Sequence, residues 1–76
     1  DWVAWIGTFD DIVSGREGEK RIRLMKDYSS GDCGYPGLEI LPDGTVVTVT
    51  YGHFTEGRRE PYIMCVRIPP DVLSKL

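Results

Sequence analysis

Apolar and polar positions along the chain outline five short strands. Residues 2–6, WVAWI, are apolar on both alternating faces, with Trp2, Ala4 and Ile6 on one and Val3 and Trp5 on the other. Residues 20–26 alternate more cleanly, Ile22 and Leu24 against Arg21 and Arg23, the pattern of a half-buried strand. Arginines on one side suit an edge strand, where charge discourages pairing with other sheets. Residues 45–51, TVVTVTY, are nearly all β-branched or aromatic, and such side chains favour a strand over a helix. Residues 62–68, YIMCVRI, are again apolar on both faces.

The strongest local signal is the turn at Leu41-Pro42-Asp43-Gly44-Thr45. Proline presets φ near −65°, aspartate bonds its own backbone, and glycine accepts a positive φ. It predicts a hairpin between residues 38–41 and 45–51. With Leu41 opposite Thr45, Tyr35 falls opposite Tyr51 and His53 lies near Cys33. The open end of the hairpin then gathers Asp32, Cys33, Tyr35, Tyr51 and His53, in a register that one bulge would shift by a residue.

Between the strands, residues 10–19 read as a loop broken by Gly15 and Gly18, with Ile12 and Val13 tucked back onto the sheet. Residues 27–32 read as a polar turn, and residues 52–61 as a loop. Pro69-Pro70 ends the last strand. Residues 71–76 read as a short helical turn with Asp71 as its N-cap.

The fold expected is therefore all-β, an antiparallel meander of about five strands in a single domain spanning residues 1–76. Strands apolar on both faces need cover on both, and a chain this short buries only about 60–65% of its unfolded surface. Either the sheet curls into a small barrel, for which Thr48 and Thr50 leave room, or it stacks on other sheets, from a larger protein or from copies of itself. The chain starts at Asp1 directly on an apolar strand, which reads as a fragment, a processed product or an excision. Localisation has no signal in the sequence.

Net charge is −3 with no long run of either sign. A nucleic-acid binder needs a basic face, so nucleic acid is not an expected partner. No stretch of 18 apolar residues reads as a membrane helix, and no membrane partner is expected. Two cysteines allow one disulfide, but Cys65, mid-strand, falls roughly 15 Å from Cys33 at about 3.3 Å per residue. Cys65 then reads as a small buried hydrophobe and Cys33 as a loop thiol.

At DCGYPGLEILPDGTVVTVTYGH followed by PYIMCVRI, the chain resembles the last blade of sialidase-like β-propellers, the BNR/Asp-box superfamily. The upstream WVAWIGTFDD and RIRLMKD resemble the outer strands of the preceding blade. The resemblance covers nearly the whole chain and implies about one and a half propeller blades. Residues 1–27 would be the outer strands of one blade and 28–70 the strands of the final blade, with 71–76 a C-terminal turn. The Asp-box itself is absent, and Pro36 stands where family members usually carry serine.

The resemblance also implies glycoside hydrolysis by a tyrosine nucleophile in place of the usual carboxylate pair, and that tyrosine maps onto Tyr35. A phenol with a pKa near 10 needs a base to take its proton. In the family a glutamate from another blade does so, an arginine triad holds the substrate, and an aspartate serves as acid/base. None of these maps onto this chain, so a glycosidase fragment of this kind is expected to be inactive alone. His53 is a secondary candidate for acid/base or sugar contact, with Asp32 and Tyr51 as candidate substrate-binding residues. Asp32, Cys33 and His53 have zinc-ligand chemistry, Asp10-Asp11 has calcium-ligand chemistry, and Trp2 and Trp5 have rings that stack on sugars. The blander readings are local hydrogen bonding, solvated loop and core packing, and no metal or cofactor is expected. The other functional class is a self-assembling, non-catalytic β module, with homo-oligomers formed through apolar sheet faces. A glycan is the partner expected for the parent protein.

Overall fold

A computed structural model describes residues 1–29 and 32–76. The middle of the polar turn expected over residues 27–32 lies outside the described residues. The chain is all-β, built from two antiparallel sheets. The first pairs β1 (Trp2–Ile6) with β2 (Lys20–Met25), and the second runs β3 (Gly34–Ile40), β4 (Val46–Gly52), β5 (Tyr62–Ile68) in that order. Two short helices complete it, α1 (Phe9–Val13) and α2 (Pro70–Leu73). The connections are those of a meander, but the ladder is interrupted between β2 and β3, so five strands make two sheets.

The hairpin turn forms as its chemistry dictates. Leu41 donates its amide to the Thr45 carbonyl at 2.9 Å, and Gly44, at φ 90°, donates to Leu41 at 2.9 Å. The Asp43 carboxylate accepts from the Thr45 amide at 2.9 Å and the Thr45 hydroxyl at 3.0 Å. These bonds hold that carboxyl below the usual aspartate range, the Thr45 amide first, with a smaller contribution from the charge on Arg67. Register follows the turn from Ile40↔Val46 to Gly37↔Val49, and then slips. Gly34, not Tyr35, pairs with Tyr51, because a bulge takes up one residue between Gly34 and Gly37. The strand is correspondingly longer than the 38–41 expected. β5 pairs with β4 along its whole length, Val46↔Ile68 to Gly52↔Tyr62.

Trp2, Phe54 and Ile68 are the buried apolar side chains. Phe54 stacks on Trp2, ring centroids 5.7 Å apart, and meets Tyr62 edge-on at 6.1 Å. Its ring lies over Gly52, where a Cβ would come within 2.5 Å of it. Thr48 and Thr50 are buried as well, and their hydroxyls donate to the carbonyls of Gly37 at 2.8 Å and Gly34 at 2.7 Å. The two threonines thus satisfy carbonyls on either side of the bulge, and a buried hydroxyl needs such a partner.

Three local expectations are corrected. Residues 9–13 form a helical turn, closed by a capping box in which Thr8 and Asp11 exchange bonds through side chain and backbone. Ile12 and Val13 do not tuck in and are 62% and 67% exposed, while Asp10 and Asp11 on the same turn are both bound by Arg16. At the C-terminal turn the N-cap is Pro69, without a side-chain bond, and Asp71 lies inside the helix. Proline at the first helical position supplies the helical φ without any cap. Both cysteines are free, and Cys65 is exposed rather than buried because its face of the sheet has no cover.

Candidate functional site

The open end of the central hairpin divides into two regions. The first is built on His53, just past the end of β4. Its side chain is almost fully buried, and its Nε2 lies 2.7 Å from the Asp32 carboxylate. An ionised carboxylate only accepts, so Nε2 carries a proton. Nδ1 is buried and has no partner among the described residues. The His53 carbonyl accepts from the Tyr28 amide at 2.8 Å, which ties the segment after β2 to the end of β4.

Asp27 stands in the same neighbourhood. Its carboxyl is held below the usual range, chiefly by the Ser29 amide at 3.1 Å, with further help from the Cys33 thiol, the chain's amino terminus and His53. A pocket of about 300 Å³ opens beside this cluster, with His53, Tyr28, Arg58 and Arg59 in its lining. Arg58 lies over the Tyr62 ring at 4.7 Å, a cation–π contact.

The second region is Tyr35. It occupies the bulge at φ 54° and is 96% exposed. That is the left-handed region, where a bulky non-glycine residue is a backbone outlier. Flanking it, Gly34 and Pro36 line a separate pocket of about 310 Å³ with Trp2, Cys33 and Thr50.

The expected cluster is therefore realised in part. Asp32 and His53 meet, whereas Cys33 makes no hydrogen bond to either among the described residues. Tyr51 is laddered to Gly34 and 37% exposed, on the sheet face opposite Thr50. Tyr35 has no hydrogen-bonding or ring partner among the described residues.

Among the described residues no group of three metal-ligating side chains converges, the set of Asp32, Cys33 and His53 included. Trp2 is committed to the core. Trp5 packs over Gly7 and Gly18 and donates its indole N–H to the Glu17 carbonyl at 2.7 Å, closing the loop after α1. Two features escaped sequence reasoning. The bond from Thr50 to Gly34 that braces the bulge was foreshadowed by two threonines on one strand face. The pocket at Arg58 and Arg59 had only a short basic pair to mark it. Comparison with known protein families, with curated proteins and with solved structures returned no match.

Proposed function

We propose that the chain is part of a sialidase-like β-propeller glycoside hydrolase, with Tyr35 as nucleophile, and that it is inactive until further sheets cover its open faces. The observation that supports this is the backbone of Tyr35. A tyrosine at φ 54° whose side chain is 96% exposed has strain without burial to offset it. Strain of this sort gathers at functional sites. In the proposed reaction the Tyr35 oxygen attacks the anomeric carbon of a glycoside. A base from another blade takes the phenol proton, and an acid protonates the departing oxygen. Water then releases the sugar and restores Tyr35. Asp32, His53 and Tyr51, at the same end of the hairpin, are the residues proposed to border the glycan. The test is to read and express the coding sequence upstream of Asp1. Further four-stranded repeats carrying a base and arginines are expected, with Tyr35→Phe abolishing glycoside hydrolysis while substrate binding persists. A start codon directly before Asp1, or an active Tyr35→Phe enzyme, would overturn the reading.

A second reading, a self-assembling β module, has an observation of its own. Val49, Tyr51 and Ile63 lie on one face of the three-stranded sheet at 40%, 37% and 79% exposure. Apolar sheet faces of this kind mark contacts with other sheets. The two readings are compatible, because a second copy supplies cover that a neighbouring blade would otherwise give.

A further inference from the structure

Leu38 and Ile40 of β3 are exposed on one face of the three-stranded sheet, and the opposite face carries a charge pattern as well as an apolar one. Ladder register puts Glu39, Val47 and Arg67 in one row across it, Gly37, Val49 and Cys65 in the next, and Tyr51 and Ile63 in the third. Gly37 and Val49 belong to the same face, since a Cβ on Gly37 would sit 3.6 Å from a Val49 methyl. Glu39 and Arg67 are exposed, and neither has an ion-pair partner among the described residues. They stand on the two outer strands, about 10 Å apart across Val47, and form no ion pair with each other. Asp43, whose carboxylate is bound by Thr45, also feels the charge of Arg67.

We propose that this face is the contact surface of a homodimer whose two-fold axis runs along β4. The proposal rests on the association reading and specifies its geometry. Rotation about an axis parallel to β4, in the plane between the sheets, lays β3 of one copy over β5 of the other. Glu39 then faces Arg67 of the second copy, and Arg67 faces the second copy's Glu39. Val47 and Val49 meet their own counterparts on the axis. Gly37 leaves room for the Cys65 side chain that comes opposite it. An axis running across the strands instead would set Glu39 and Arg67 over the bulge and Ile63, burying charge against apolar surface. The charge pattern therefore selects one axis.

Strands of the two sheets run in the same sense under this operation, which suits aligned sheet packing at about 30°. The long arginine side chain spans the lateral offset that this angle introduces. The face measures roughly 14 by 23 Å from strand spacing and rise. That is small for a specific interface and of the size of a weak, transient contact.

The experiment is sedimentation equilibrium on the full chain, on Glu39→Arg, on Arg67→Glu, and on the double reversal, with circular dichroism to check each fold. A dimer is expected for the unaltered chain. Each single reversal places two like-charge pairs across the axis and is expected to raise the dimer Kd at least tenfold, with the double reversal returning it to within about threefold. If a reversal fails to fold, Arg67→Ala replaces it, with at least a threefold rise expected. A chain that stays monomeric at millimolar concentration overturns both this proposal and the association reading, and the face then belongs to some other segment. An oligomer indifferent to the single reversals overturns this face and axis alone.

Discussion

Replacing Tyr35 by glycine should make the chain more stable. The tyrosine sits at φ 54° in the bulge of β3 and is 96% exposed. Holding a non-glycine residue in the left-handed region costs about 1–2 kcal/mol. Glycine removes that cost but carries more backbone entropy into the unfolded chain, a loss of roughly 0.5–1 kcal/mol. The side chain contributes almost no burial to set against the change. The net expectation is a gain of about 0.7 kcal/mol, within a range of roughly 0–1.5 kcal/mol, the difference between the strain relieved and the entropy lost. Urea unfolding reads this as a rise in midpoint of roughly 0.7 M at a slope near 1 kcal/mol/M. Tyr35→Ala keeps the Cβ and hence the strain, so it should leave the midpoint almost unmoved. A Tyr35→Gly chain destabilised by more than about 1 kcal/mol would refute the reasoning, because it would mean that the phenol ring packs against something in solution. The predicted gain also bears on function, since a residue that lowers stability where glycine would raise it needs some other reason to be there.

Thr50→Val keeps the shape of the side chain but removes its bond to the Gly34 carbonyl, at an expected cost of about 0.5–1.5 kcal/mol in chemical denaturation. Combined with Tyr35→Gly it should depart from additivity, because both changes act on the same bulge. Gly52→Ala drives a methyl to within 2.5 Å of the Phe54 ring, which Trp2 and Tyr62 hold in place. Overpacking of that kind should cost about 1–3 kcal/mol and alter the near-ultraviolet dichroism of Trp2, and an unchanged spectrum would show that Phe54 is free to move. Acid should weaken the fold. Asp11, Asp27 and Asp43 are all held below the usual aspartate range, in each case chiefly by a backbone amide. Their contribution is complete above the unfolded carboxylate pKa and disappears as pH falls through the lowered folded values. The urea midpoint should therefore be level near neutrality and fall below about pH 4, with Asp43→Asn flattening that fall and a midpoint that rises on acidification refuting the account.

Strands and turn were legible because their signals are local. The Leu41–Thr45 turn carries its own register, and the β-branched run after it has few alternatives to a strand. What was missed depended on partners or on a weak variant of a motif. Thr8 and Asp11 close a capping box with aspartate in place of the usual glutamate or glutamine, so its signal was faint. Ile12 and Val13 look like core residues by composition, yet they are exposed on a turn whose two aspartates are bound by Arg16. The break between the sheets lies in the segment between β2 and β3, where no alternation exists to read.

The candidate site shows the same division. Counting outward from the turn put His53 beside Cys33, and with the one-residue slip at the bulge it is the adjacent Asp32 that His53 meets. Tyr35 and Tyr51 count outward along that ladder too, yet the bulge between Gly34 and Gly37 moves them out of register. The bulge lies between Gly37 and Gly34, and Thr48 and Thr50 bind the carbonyls of these two flanking residues from the neighbouring strand. The polar residues that an alternating strand would have turned to solvent are thus buried, and Val49 and Tyr51, which alternate with them, face outward. The bulge that singles out Tyr35 and the uncovered apolar face are therefore linked through one strand. Any device that covers that face, a neighbouring blade or a second copy, packs against the same β4 that braces the tyrosine, and so couples assembly to the geometry of the proposed nucleophile.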